Sequence, residues 1–365
     1  MFAGVDYRRE EVVAADTAVM VHDQDVKDTQ VWNYFYSGVG NRAFLSLGYG
    51  SLFNHHKPAS VENFWRDDAP SQDRRDPNFF LSKVDYYADR EIKAGHEIFN
   101  VYGDEGWFNY RGVNFISGDD AAADGTLART LEELEETGHC LSDVSVHESA
   151  VRGVGQGLYA ERSFEEGEVV SISPVLFLSK TMLEEAGPTS LILNYAISVP
   201  GSDVALLPVG AAGAVNNGGK AASLRLHWYD WNTRTVLYDD DLPKPARELN
   251  VDELEAAQFA SLDICYVATR DIEEGEELSL YYGKEWAREF RSYKKKLKDD
   301  PRGAALFRHP IHAPANMFPD SWMVECIGKT CDLEDDDDDY AEEEEYVEIR
   351  EDCGLFMAPS TIPGA

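Results

Sequence analysis

Residues 52–63 read LFNHHKPASVEN, with His55 and His56 side by side between Asn54 and Asn63, in a chain holding only nine histidines. Adjacent imidazoles suit three kinds of chemistry: metal ligation, proton transfer, or a polar pocket for a small molecule. A metal centre needs further His, Cys or carboxylate ligands at suitable spacing, and none lies nearby in sequence. Elsewhere, Cys326-x4-Cys331 with the distant Cys353 has the look of a partial zinc site. It lacks a fourth ligand and is interrupted by an acidic run, so the expected metal set is none. The five cysteines, Cys140, Cys265, Cys326, Cys331 and Cys353, are odd in number and scattered, which favours free thiols over a disulfide framework.

A second chemistry-bearing pattern is an internal repeat. ADREIKAGHEIFNVYG (Ala88 to Gly103) aligns without a gap on ATRDIEEGEELSLYYG (Ala268 to Gly283), a constant 180 residues later. A period this long means duplicated units rather than a solenoid. Each copy predicts a strand (Val84 to Ala88; Ile264 to Ala268), a charged turn at Gly95 or Gly275, and a second strand ending on Tyr102-Gly or Tyr282-Gly. Taken alone, this fits a duplicated hairpin with a core tyrosine as well as it fits a duplicated site. Upstream of each hairpin stands a small-residue turn, an apolar residue, and then Asn54-His55 or Asn216-Asn217. The second copy also carries RGVGQGLYAERSFEEGEVV (Arg152 to Val170), in which Gly155 and Gly157 flank Gln156.

The order GxGLYAxRxFxxGE, then N-N or N-H, then ATRDIxxGEELxxxYG resembles the SET-domain family of protein lysine methyltransferases. The resemblance covers Val146 to about Trp286, and about Glu10 to Trp107 as a first copy without its opening segment, starting at EEVVAADTAVMV. It implies methyl transfer from S-adenosylmethionine to a lysine amine. Such a displacement requires aligned reactants, exclusion of water, and an amine held neutral although its ordinary pKa is about 10.4. By resemblance, Tyr282 and Tyr102 match the catalytic tyrosine, and Gly155 and Gly157 match the cofactor turn, where missing side chains admit close backbone approach. Asn216, Asn217, Asn54 and His55 match the cofactor-binding Asn-His pair. His56 is incidental in that frame, and Asn63 matches a later asparagine of the motif. Asn217 stands where the family has histidine, which a backbone role survives and a side-chain role does not. No cysteine cluster follows Tyr282, so Trp286 and the helix after it are expected to close the channel.

The remaining sequence sets the frame. Short Val/Ile/Leu/Tyr/Phe-rich segments broken by Gly, Asp and Asn predict a mainly β fold. The resemblance makes it a SET-type fold of small curved sheets with few helices, duplicated in tandem. The expected organisation is a truncated SET-like domain (1–116), a linker and short helix (117–140), a SET domain (141–290), a basic helix and extension (291–330), and an acidic, disordered tail (331–365). Thr126 is the expected cap of the short helix in TLARTLEELEETG, with Leu127, Leu131 and Leu134 on one face. VDELEAAQFAS predicts a second helix beside the site. A net charge of −35 argues against direct nucleic-acid binding and favours basic partners, such as histones or other Lys-rich proteins. The opening residues are not a signal peptide, and no apolar run reaches membrane-spanning length, so an intracellular protein (cytoplasmic or nuclear) is expected, without membrane insertion. The competing reading is a catalytically inactive SET-like protein that binds basic proteins.

Overall fold

A computed structural model describes residues 1–22, 35–37, 42–46, 48–56, 59–66, 81–103, 105–110, 128–151, 156–181, 195–199, 202–237, 248, 250–259, 262–284, 286–288, 291–292, 295, 353 and 355–357. The fold is mainly β with few helices, arranged as several small sheets. In chain order the N-terminal strands are β1 (Phe2–Ala3), β2 (Val12–His22), β3 (Tyr36–Ser37), β4 (Arg42–Ser46), β5 (Asn54–His55), β6 (Val61–Arg66), β7 (Leu81–Ala88) and β8 (Phe99–Asn100), followed by helix α1 (Glu105–Tyr110). Helix α2 (Leu131–Thr137) and β9 (His139–Cys140) lead into the second half. There follow β10 (Val144–Glu148), β11 (Gln156–Ala160), β12 (Val169–Ser173), β13 (Val175–Ser179), β14 (Ile197–Ser198), β15 (Val204–Pro208), β16 (Asn216–Asn217), β17 (Leu224–Asp230) and β18 (Thr235–Leu237). Helix α3 (Val251–Phe259), β19 (Leu262–Ala268), β20 (Glu277–Leu280) and β21 (Leu355–Met357) complete the order.

The second half is built on an eight-stranded sheet ordered β10-β11-β20-β17-β19-β12, with β16 added to β20 and β18 to β17. The first half has a five-stranded sheet ordered β3-β4-β2-β7-β6 and a parallel β5-β8 pair. The predicted strands before each Gly turn are present in both halves, as β7 and β19, but neither forms a hairpin with the strand that follows: β17 lies between β19 and β20, and β7 and β8 belong to separate sheets. Gly95 (φ 85°) and Gly275 (φ 84°) take the left-handed conformation that closes each charged turn, which a side chain would strain. Their amides donate to Ala3 and Ala160 carbonyls at 2.7 and 2.8 Å.

This correspondence extends into the first residues of the chain. Phe2 bridges Glu97 and Tyr7 bridges Ile92, as Tyr159 pairs Glu277 and Phe164 bridges Ile272. Phe2–Ala3, which precede EEVVAADTAVMV, thus take the place in the first half that Tyr159–Ala160 take in the second. On its other edge β1 pairs antiparallel with β21 (Phe2↔Phe356, Ala3↔Leu355), just as β11 pairs with β10 (Tyr159↔Ser145, Ala160↔Val144). The segment at the far end of the chain thus fills the place beside β1 that β10 fills beside β11.

Three other expectations change. Leu355–Met357, assigned to a disordered tail, form a buried strand, because three apolar residues follow the acidic run. Residues 331–352 lie outside the described residues, as do the linker 117–124, Thr126, Leu127 and most of the basic helix. The cap of α2 is Thr130, whose side chain accepts from the Glu133 amide while Glu133 reaches back to the Thr130 amide. Cys140 and Cys353 form a disulfide with Cα atoms 5.9 Å apart, and Cys265 is a buried free thiol. The sequence hides this pairing because 213 residues separate the partners, which only the β9-β21 ladder brings together.

The two halves share a core. Val13, Phe53, Val84 and Tyr86 pack in one cluster with Ile172, Tyr229, Trp231 and Cys265. A second cluster, within the later half, surrounds Trp228, Tyr266 and Leu278. The Tyr49 hydroxyl crosses between halves and donates to the carbonyls of Leu141 and Val144. Among the described residues, no helix is long and apolar enough to cross a membrane.

Candidate functional site

In the second half, β16 lies parallel to β20, with Asn216 opposite Ser279 and Asn217 opposite Leu280. This short ladder brings Asn216 to Tyr282 across more than 60 residues of chain. The Tyr282 amide donates to Oδ1 of Asn217 at 3.0 Å, and its hydroxyl donates to the carbonyl of Val215. Trp286 packs edge-to-face on the Tyr282 ring, with centroids 4.8 Å apart. Burial, with Tyr195 as a second cause, raises the Tyr282 pKa far above that of a free phenol. The group is a neutral phenol at physiological pH. With its hydrogen engaged by Val215, its oxygen is an acceptor.

Asn216 is more tightly held. Its Nδ2 donates to the carbonyl of Gln156 and to Oε1 of Glu277, both at 2.9 Å. With both amide hydrogens engaged, the atom it offers a ligand is the carbonyl Oδ1. Gly157 lies against the same carboxylate: a Cβ there would stand 2.4 Å from Glu277 Oε1. A side chain at 157 would push the two apart, so the glycine allows the close approach. Gly155 lies outside the described residues.

The first half repeats this geometry. Parallel β5 and β8 set Asn54 opposite Phe99 and His55 opposite Asn100. The Tyr102 amide donates to Nδ1 of His55 at 2.9 Å, and its hydroxyl to the Phe53 carbonyl at 2.6 Å. Asn54 Nδ2 donates to Glu97 Oε1 at 2.7 Å, the counterpart of the Asn216–Glu277 bond. The His55 ring lies 5.5 Å from Tyr102 and 4.8 Å from Phe108, centroid to centroid. His56 uses its backbone amide, which donates to the Asn100 carbonyl. Asn63 sits on β6 opposite Tyr86, outside the β5-β8 ladder. Among the described residues, no group of three or more His, Cys, Asp or Glu is placed to hold a metal.

Sequence reasoning missed three residues that support these sites. Glu277 lay inside the repeat motif but read as an ordinary strand charge. Tyr49 ties the halves together. Asp16 is buried under the 3-10 turn Tyr49–Leu52 that leads into Asn54, accepting from Ser46 Oγ at 2.5 Å and the Gly50 amide at 2.8 Å. Burial pushes its carboxyl up to about 6. The only sequence signal was an acid in an otherwise apolar strand, VVAADTAVMV.

No family model matches the chain. Over 87 residues, 24% of its length, the chain is 33% identical to the histone-lysine N-methyltransferase, H3 lysine-37 specific, of Schizosaccharomyces pombe. The matched part is 51% of that protein, so the chain spans about half the length of its curated relative. Among solved structures, it overlaps the Chaetomium thermophilum polycomb repressive complex 2 (18% identity, TM-score 0.27, 39% of this chain and 15% of that one). It also overlaps the form of that complex in an autoinhibited conformation bound to S-adenosylmethionine (15% identity, TM-score 0.27, 43% of this chain and 17% of that one).

Proposed function

We propose that the chain is a SET-type methyltransferase in which the second half carries S-adenosylmethionine-dependent methyl transfer to a lysine of a basic protein. The observation that carries this reading is the convergence of Gly157, Asn216 and Tyr282 through the β11-β20-β16 contacts. These residues fit the cofactor. Asn216 Oδ1 is an acceptor suited to an ammonium group, and the missing side chain at Gly157 lets Glu277 close on Asn216 and hold it in that orientation. Bound there, S-adenosylmethionine supplies an electrophilic methyl on a sulfonium. The chain supplies the rest. Tyr282 offers its oxygen to the N–H of an incoming amine, and its ring with Trp286 forms an apolar wall that excludes water. An apolar wall lowers the pKa of a lysine amine by desolvation, which favours the neutral nucleophile.

The two halves are, in this reading, tandem copies of one unit, the first completed by β21. The substrate follows from charge and from the relative's name. A net charge of −35 attracts Lys-rich proteins, and the S. pombe relative is named for a histone lysine. Calorimetric titration with S-adenosylmethionine tests the reading on wild type, Gly157→Trp and Asn54→Ala. Micromolar binding lost only in Gly157→Trp supports it. Loss only in Asn54→Ala moves the site to the first half. No binding by wild type removes the enzyme and leaves a non-catalytic binder of basic proteins.

A further inference from the structure

Glu277 is the meeting point of three chain segments. Its Oε1 accepts from Ser149 Oγ at 2.7 Å and from Asn216 Nδ2 at 2.9 Å. Its Oε2 accepts from the Ala150 amide at 2.9 Å and lies 3.3 Å from the Tyr159 hydroxyl, whose one hydrogen goes to the nearer Glu148 carbonyl at 2.9 Å. Ser149 and Ala150 follow β10, Tyr159 is on β11 and Asn216 is on β16. The carboxylate also lies directly against Gly157. A carboxylate only accepts, so it can hold these three donors at once, and bonds to a charged acceptor are the stronger kind. The first half keeps the central element of this arrangement, Asn54 Nδ2 on Glu97 Oε1.

We propose that Glu277 is a positioning residue that fixes the polarity of the Asn216 amide and holds the glycine strand against it. The inference rests on the methyltransferase reading and deepens it. An amide can present oxygen or NH2 to a ligand, and the two are nearly equal in shape. Glu277 and the Gln156 carbonyl, both obligate acceptors, together remove the choice. With an obligate acceptor on one side, Asn216 turns NH2 inward and Oδ1 toward the ligand. Glutamine at 277 brings an NH2 to one of the two edges. On the edge facing Asn216, donor confronts donor; turning the amide over would instead set Oδ1 against the Gln156 carbonyl, so in either orientation Asn216 loses one of its two bonds and the hold on its orientation. On the other edge, NH2 confronts the Ala150 amide and the chain beside the glycine strand loses its anchor.

The test compares wild type, Glu277→Gln, Asn216→Ala and the double variant, with thermal melting as the control for folding. Two readouts are taken. The first is the side-chain amide signal of Asn216 in the nitrogen-15 correlation spectrum, identified by its loss in Asn216→Asp. In wild type both protons are expected to exchange slowly, and in Glu277→Gln they shift and lose that protection. The second is the dissociation constant for S-adenosylmethionine, expected to rise about tenfold or more in Glu277→Gln. The double variant is expected to be no weaker than Asn216→Ala, since the two act as a unit. An unchanged Asn216 signal in Glu277→Gln, or losses that simply add, overturns the proposal. If wild type binds no S-adenosylmethionine, the functional reading fails while the Asn216 signal still decides the role of Glu277.

Discussion

Asn217 accepts the backbone N–H of Tyr282 on Oδ1 at 3.0 Å, and His55 accepts the N–H of Tyr102 on Nδ1 at 2.9 Å. The second residue of each pair therefore serves as a side-chain acceptor that fixes the tyrosine backbone. Asparagine and neutral histidine each place an acceptor at that reach, so Asn217 does in the second half what His55 does in the first. Asn217→His is expected to keep methyl transfer within a few-fold of wild type. Asn217→Leu leaves the Tyr282 amide unpaired, at a cost of about 1–3 kcal/mol. Melting and single-turnover methyl transfer on the two variants check this. Equal loss in both would mean that the position needs asparagine for another reason.

Tyr282→Phe removes the one hydroxyl that the second half directs to the Val215 carbonyl. If that oxygen orients the amine, kcat is expected to fall by about a hundredfold or more, with little change in cofactor affinity. Tyr102→Phe is expected to leave kcat unchanged, because Gly157 and Asn216, on which the proposed cofactor site rests, lie in the second half. A radiolabelled methyl assay on a Lys-rich protein reads both. A larger loss in Tyr102→Phe would reverse the assignment.

Much of this arrangement was legible in the sequence because the repeat is dense in residues with restricted uses. Gly95 and Gly275 forecast turns that only positive φ closes, and the apolar runs before them forecast β7 and β19. The ladder joining Asn216 to Tyr282 was legible only through family resemblance, since nothing local links them. What stayed hidden depended on long-range pairing. Cys353 and Leu355–Met357 follow an acidic run whose composition masks three apolar residues. Phe2–Ala3 is too short a strand to show alternation. Glu277 and Asp16 looked like ordinary charges, and only burial and donor geometry separate them from the other acidic residues.

Asp16 gives a pH dependence with a definite sign. Its folded pKa is raised from 3.8 to about 6 by burial, so between those values the folded state holds a proton that the unfolded state has lost. Stability from this group is full below pH 4 and is lost as pH rises through 6, by roughly 3 kcal/mol in all. His227 acts oppositely: burial lowers its pKa to about 4, so its contribution is present above pH 6.5 and is lost as pH falls toward 4. The clean observable is a difference. Stability of Asp16→Asn minus that of wild type is expected to rise by about one proton's slope from pH 4 to 6 and to level off above. Denaturant melts across that range measure it, and a flat difference would mean that Asp16 is not protonated in the folded state.

The Cys140–Cys353 bridge ties β9 to the residue two before β21. Strand β21 lies between β1 and β9, so the bridge holds the strand that completes the first half. Closing a loop this long removes much unfolded-state entropy, with typical stabilisation of about 2–4 kcal/mol. Cys353→Ser is expected to lower stability by that amount. Its local effect should be uneven: the amides of β21 and of Phe2, which pairs with it, lose hydrogen-exchange protection, while those of β10 and β11, outside the β1-β21-β9 sheet, keep theirs. Reductant is expected to reproduce the variant in wild type and to add nothing in Cys353→Ser. If protection falls equally at β1 and at β11, the two halves unfold as one unit and β21 has no separate hold on the first. If it falls at neither, the ladder alone seats β21 and the bridge is dispensable.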